Sequence, residues 1–123
     1  MTFCLLVVPA DGAPELEAEV GESLFRIGRS PDCDLVLPSI AETVSAFHAE
    51  FRIQGGFLCV QDTDSRNGTF VDGQRITGWT KLRPGSSVRL GRHGPIIRWR
   101  RVAHRRAPDE EQVDANTATT RYA

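Results

Sequence analysis

An all-β fold, an antiparallel β-sandwich of about eleven short strands, is what this sequence predicts, and three observations predict it. Apolar and charged residues alternate with a period of two, turn signals recur every few residues, and no stretch carries a convincing helical period. The first candidate strand is 3–8, followed by 15–20, where Glu15-Leu16-Glu17-Ala18-Glu19-Val20 puts one apolar face inward and one acidic face outward. Next come 24–28 and 35–37, and then 49–53, where Ala49-Glu50-Phe51-Arg52-Ile53 alternates again. The series continues with 57–62, 69–71, 74–76, 80–82, 87–90 and 96–102. Asp11-Gly12, Ser30-Pro31-Asp32, Gly55-Gly56, Asp72-Gly73, Pro84-Gly85 and Gly94-Pro95 separate them as turns. From Ala107 the apolar pattern stops. The sequence therefore divides into a domain over 1–103 and a flexible tail or linker over 104–123, with at most a transient helix around 109–115.

With 123 residues and 13.6 kDa, the chain is long enough to bury a core without disulfides or metal. Cys4, Cys33 and Cys59 are odd in number and widely spaced, with no CxxC pair, which favours buried or free thiols in a reducing compartment over a disulfide framework or zinc site. The apolar run 3–8 has no Lys or Arg before it and meets Pro9, so it reads as neither a signal peptide nor a membrane span. A cytoplasmic protein is expected, with no membrane partner. Net charge is −1, unevenly spread. Residues 1–25 hold five acids and no base, 26–106 hold 14 bases against seven acids, and 107–123 hold four acids and Arg121. The basic cluster Arg98, Arg100, Arg101, Arg105 and Arg106 suggests nucleic acid at first sight, but Arg98 and Arg100 alternate with Ile97, Trp99 and Val102, so a last strand running into a solvated linker explains it better and no nucleic acid is expected. Fourteen arginines against one lysine hint at a bacterial source.

Three polar loops carry the chemistry. Gly28-Arg29, Ser45-Ala46-Phe47-His48 and Ser65-Arg66-Asn67-Gly68-Thr69 offer a guanidinium, hydroxyls, a carboxamide and turn N–H groups, which are the groups that bind an oxyanion. Each has a plain alternative: Arg29 as a surface arginine, Ser45 as a turn cap, Asn67-Gly68 as a hairpin turn. Ser45, His48 and Asp62 or Asp64 could be imagined as a triad, but no G-x-S-x-G elbow or oxyanion-hole signature accompanies them, and no P-loop or metal motif is present. An enzyme is not expected, nor a cofactor.

The ordered series Phe25-Arg26-Ile27-Gly28-Arg29, Cys33-Asp34-Leu35-Val36-Leu37, Val44-Ser45-Ala46-Phe47-His48-Ala49, Asp64-Ser65-Arg66-Asn67-Gly68-Thr69-Phe70-Val71-Asp72-Gly73, Leu82-Arg83-Pro84-Gly85-Ser86 and Val88-Arg89-Leu90-Gly91 resembles the forkhead-associated domain, from about Leu5 to Trp99. The resemblance implies an eleven-stranded sandwich of the SMAD/FHA-like class whose loops at one end bind phosphothreonine peptides. It gives Arg29 the phosphate, Ser45 a phosphate oxygen and Asn67 the peptide backbone. It gives Arg66 and Ser65 places along the peptide groove. Gly28, Gly68, Thr69 and His48 then support the loops, His48 as a buried brace. At the position after the serine, where the family usually carries Arg, Lys or Asn, stands Ala46, which donates only through its backbone. The 38–44 loop is a little longer than usual, and Glu42 in it opposes a dianion.

The expected function is thus a phosphothreonine-peptide binding adaptor in Ser/Thr kinase signalling, its partner a threonine-phosphorylated protein or peptide, a kinase or a kinase substrate. The alternative is a degenerate domain that binds its partner without phosphate, which Ala46 and Glu42 favour. The tail threonines, Thr117, Thr119 and Thr120, belong by first expectation to a disordered linker with no role of its own, the alternative being a kinase-accessible segment whose phosphorylated form occupies the pocket.

Overall fold

The computed structural model describes residues 1–38 and 43–102. The tail over 104–123, its threonines, Arg105, Arg106 and Glu42 lie outside the described residues. Eleven strands occur in the expected order: β1 Thr2–Val8, β2 Leu16–Val20, β3 Phe25–Gly28, β4 Leu35–Val36, β5 Ala49–Gln54, β6 Phe57–Asp62, β7 Thr69–Val71, β8 Gln74–Arg75, β9 Thr80–Lys81, β10 Val88–Leu90 and β11 Ile96–Val102. Among the described residues no helix forms, and none is long and apolar enough to cross a membrane.

Two sheets result. One runs β2-β1-β11-β10-β7-β8 and the other β4-β3-β5-β6-β9. All paired strands are antiparallel except β3 and β4, which run parallel with Ile27 opposite Leu35 and Gly28 opposite Val36. A parallel pair ordinarily needs a long crossover. Here the intervening loop doubles back on itself instead. The Cys33 N–H donates to the Ser30 carbonyl at 3.1 Å, and Asp34 returns to Arg26 through its N–H (3.0 Å) and by accepting the Arg26 N–H at its carboxylate (2.8 Å). Asp34 thereby closes the loop that carries Arg29.

The alternation read from the sequence sets the core. Phe3, Leu5, Val7, Val88, Leu90 and Ile97 of the first sheet face Phe25, Ile27, Ala49, Phe51, Leu58 and Val60 of the second, with Leu37, Val44 and Leu82 closing the ends. Each fully buried Leu or Phe contributes about 1.5–3 kcal/mol. Phe3 meets Trp99 edge to face at 5.5 Å, extending the core along β11. All three cysteines are free and buried. β5 and β6 pair in unbroken register from Ala49 opposite Asp62 to Gln54 opposite Phe57, and β7 pairs with β10 through Leu90 opposite Thr69. Together these pairings bring the 29–34, 43–48, 63–68 and 91–95 loops to one end of the sandwich.

Candidate functional site

Gly28, the last residue of β3, makes the site possible by having no side chain. A Cβ there would lie 2.1 Å from the Ala46 carbonyl oxygen, so the 44–47 segment lies directly on the end of β3. Three backbone bonds hold it there: Arg29 N–H to Ser45 O at 3.1 Å, Ser30 N–H to Ala46 O at 3.0 Å, and His48 N–H to Ile27 O at 2.9 Å. Arg29 and Ser45 become neighbours, although 16 residues separate them in sequence. Arg29 is exposed, and its Nε donates to the Val44 carbonyl at 2.5 Å, which fixes the guanidinium plane. The terminal nitrogens, with four N–H groups, have no partner among the described residues.

Ser45 is engaged on three sides. Its carbonyl accepts from Arg29, its N–H donates to His48 Nδ1 at 3.0 Å, and its Oγ accepts the Arg66 N–H at 3.0 Å. The hydroxyl hydrogen is left to donate outward. Because Nδ1 accepts, the imidazole proton is on Nε2, which donates to the Gly68 carbonyl at 2.8 Å. His48 is fully buried, and burial pushes its pKa below the ordinary histidine value despite the opposing pull of the Gly68 carbonyl and the Asp62 carboxylate. It is therefore a neutral strut between two loops. In this wiring the Ser45 hydroxyl does not meet the imidazole, and both ring nitrogens are occupied by backbone.

The third loop is built on Asp62. Its carboxylate accepts from the Ser65 hydroxyl, from the Ser65 N–H at 3.0 Å and from Thr69 Oγ1 at 2.7 Å. Burial alone would raise the Asp62 pKa, but these hydrogen bonds outweigh it and hold the carboxyl below its usual range. Ser65 Oγ in turn accepts the Gly68 N–H at 2.9 Å. Asp64 turns the chain at φ 62°, a conformation Asp tolerates better than most residues.

The expected residues thus separate into two groups. Arg29, Ser45, Ala46, Arg66 and Asn67 come together at the sandwich end, with Arg29, Ala46, Arg66 and Asn67 exposed. Asn67 Nδ2 donates to the Thr43 carbonyl at 3.0 Å and its carboxamide oxygen has no partner among the described residues. Ser65 belongs instead with Gly28, His48, Gly68 and Thr69. Expected along the groove, it is buried, because its hydroxyl is committed to Asp62 and to the Gly68 N–H. The sequence reading had no role for Thr43 and considered Asp62 only as an imagined triad member. An Asp three residues before a Ser is a visible turn signal, whereas the Asn67 to Thr43 bond has no local one. Ala46 presents only a methyl group to solvent, while its carbonyl is occupied by the Ser30 N–H and the Cys33 thiol (3.3 Å). Among the described residues no cluster of His, Cys, Asp and Glu is arranged to hold a metal.

The family model of the FHA domain matches residues 25–91. The glycogen accumulation regulator GarA of Mycolicibacterium smegmatis is 42% identical over 65 residues, covering 53% of this chain and 39% of GarA. The FHA domain-containing protein FhaB of the same organism is 32% identical over 87 residues, 71% of this chain and 55% of FhaB. The chain therefore spans about two fifths to just over half the length of these relatives. Mycobacterium tuberculosis EmbR, solved in complex with a low affinity phosphopeptide, superposes with a TM-score of 0.61 at 27% identity, covering 82% of this chain and 26% of EmbR. With the family's span matched over Arg29, Ser45 and Asn67 and its sandwich reproduced, the chain belongs to the forkhead-associated (FHA) domain family.

Proposed function

We propose that the chain is a phosphothreonine-dependent interaction module, reading a phosphorylated segment of a kinase or kinase substrate at the loop end of the sandwich. One observation carries this reading: the Gly28 contact gathers the pre-oriented Arg29 guanidinium and the free Ser45 hydroxyl hydrogen at one place, and the exposed Arg66 is joined to them through its backbone N–H. A phosphate dianion takes bidentate donors from Arg29 and a hydrogen bond from Ser45. Arg66 adds charge beside them, and the free carboxamide oxygen of Asn67 is suited to accept a peptide N–H. That EmbR, which shares this fold, was solved in complex with a phosphopeptide supports a phosphopeptide as the ligand. Residues 1–103 act as the binding unit and 104–123 as a linker, in a cytoplasmic setting where a Ser/Thr kinase writes the mark.

Calorimetric titration with a degenerate phosphothreonine peptide library, beside a thermal melt, tests the reading. The unmodified chain binds, and Arg29→Ala abolishes binding while the melt is preserved, because an exposed guanidinium contributes little to the core. Undiminished affinity of the variant refutes the site.

A second reading rests on a separate observation. Ala46 supplies no side-chain donor, and beside it Phe47 is 41% exposed, an apolar ring at the rim of the site. A partner docked on Phe47 without phosphate is favoured if unphosphorylated and phosphorylated peptides bind equally.

A further inference from the structure

The outer face of the six-stranded sheet carries an ordered charge pattern that the phosphate site does not use. Register places Glu19, Cys4 and Arg100 in one row across β2, β1 and β11, and Glu17, Leu6 and Arg98 in the next. The two acids and two arginines are exposed, and Leu6 lies half-buried between them, with Val8 and Ile96 continuing the apolar centre toward the loop end. Acids and arginines stand two strands apart, about 9.6 Å at ~4.8 Å per strand, with β1 between them. None of the four makes an ion pair among the described residues. This part of the face therefore has an acidic column on the edge strand β2, an apolar column on β1 in which Cys4 is buried and Leu6 half-buried, and a basic column on β11, the third of the six strands.

We infer that this face docks a second copy of the chain. A two-fold axis lying between the copies and parallel to the strands sets β1 over β1 and β2 over β11. Each acidic row then meets the other copy's arginines, twice by symmetry, with the apolar rows in contact at the centre. A two-fold axis running across the strands would set β2 over β2 and acid against acid. The charge pattern thus selects one of the two face-to-face arrangements. Three strands by five residues give a patch on the order of 250 Å², well below the ~800 Å² per partner of a standard interface. The dimer is accordingly weak, and its charged rows make it salt-sensitive. Because the axis preserves strand direction, both loop ends point the same way. On the phosphate-binding reading, the dimer grips two marks on one partner, gaining avidity without a new contact.

Sedimentation of the whole chain over a concentration series, at low and high salt, tests the arrangement through charge exchange. The chain associates at low salt and dissociates at high salt. Glu17→Arg with Glu19→Arg, or Arg98→Glu with Arg100→Glu, each weakens self-association by about ten-fold or more. An equimolar mixture of the two variants recovers it, since each reversed row now faces its complement. A chain that stays monomeric at low salt overturns the proposal, as do variants that dimerise alone or folded variants whose mixture does not associate. Should a reversed variant fail to melt cooperatively, Glu17→Gln with Glu19→Gln supplies the reading: weakened association supports the face and unchanged association refutes it. None of these residues touches the phosphate site, so the dimer and the peptide binding fail independently.

Discussion

The two ends of this sandwich use glycine for opposite reasons. At the end away from the site, Gly73 closes the β7–β8 hairpin at φ 87°, and a Cβ there would meet nothing within 4 Å. Its role is local, a left-handed turn that most L-residues adopt only with strain. At the site, Gly28 has no unusual dihedral, yet a Cβ would sit 2.1 Å from the Ala46 carbonyl. Its role is long-range. The far end is bridged between turns by one reciprocal pair, the Asp72 N–H to the Ser87 carbonyl (3.1 Å) and the Ser87 N–H to the Asp72 carboxylate (3.0 Å), whereas the site end is one network in which loops distant in sequence hold one another through His48, Ser45, Asp62 and Gly68. A binding surface made of four loops needs such cross-bracing, because loop side chains otherwise lose entropy on meeting a ligand.

Substituting the two glycines is the most direct way to break this comparison. Gly28→Ala drives a methyl group into a backbone carbonyl and is expected to cost about 3 kcal/mol or more, with peptide binding lost along with it. Gly73→Ala is expected to cost about 1 kcal/mol from its positive φ and to leave binding unchanged. Denaturant melts and titrations on both variants decide the matter. Equal losses of stability, or binding lost in both, would mean that the two ends are not built differently.

The same division explains what the sequence revealed. Every strand was legible, because alternation and turn dipeptides are local signals and the far-end hairpins at Gly55-Gly56 and Asp72-Gly73 obey them. The parallel pairing of β3 with β4 was not, since Asp34 folding back on Arg26 is a tertiary bond with no periodicity. Arg29, Ser45 and Asn67 are candidates through their resemblance to a family motif, and the fold gathers them at one end. The burial of Ser65 was not legible, because a motif gives position along the chain and not the direction of a hydroxyl. Asp62, which turns that hydroxyl inward, looks in sequence like the polar end of a strand.

Ala46 sharpens the comparison from the side of the ligand. The residue is exposed, while its carbonyl is packed against Gly28 and bonded to Ser30 and Cys33. Ala46→Arg is expected to tighten phosphothreonine peptide binding by ten-fold or more, since one charge-assisted hydrogen bond contributes about 1.5–3 kcal/mol, and to steepen the salt dependence. Titration at two ionic strengths measures both. Unchanged affinity would show that a side chain at 46 does not reach the bound phosphate.

His48 makes the bracing titratable. Its folded pKa lies below the ordinary value of 6.5, so on acidification the unfolded chain takes up this proton before the folded one. The stability it contributes is full above 6.5 and is lost as the pH falls from there toward the folded pKa. A protonated Nδ1 would also oppose the Ser45 N–H that it now accepts. Asp62 behaves separately: its pKa is lowered from 3.8, so its contribution is full above that value and is lost only below it. As the pH falls below 6.5, stability is expected to fall, and a His48→Gln variant should flatten that limb while leaving the acid limb below 3.8. Peptide affinity is the poorer readout, because the phosphate itself protonates at about pH 6 in both proteins. A wild-type stability profile that stays flat below 6.5 until the carboxylates titrate would deny the strut its role.

The smallest expected difference separates a shaped site from a merely charged one. The far end of the sandwich has exposed arginines too, among them Arg83, and any such group attracts a phosphate without regard to what carries it. The bracing of the loop end should do more, holding the donors at fixed positions so that one side of the phosphorylated residue is pressed against protein. The resemblance to the FHA family implies a small apolar niche there for the threonine methyl, and one buried methyl contributes roughly 0.8 kcal/mol by area, or about four-fold in affinity. Paired peptides that differ only in phosphothreonine or phosphoserine should show that preference in the unmodified chain and keep it in Ala46→Arg, because the added guanidinium reads charge and not the methyl. A preference that disappears in Ala46→Arg would mean that the methyl contact involves residue 46 itself. Equal affinities in the unmodified chain would reduce the site to an anion patch, and the cross-bracing of its loops would then need a different explanation.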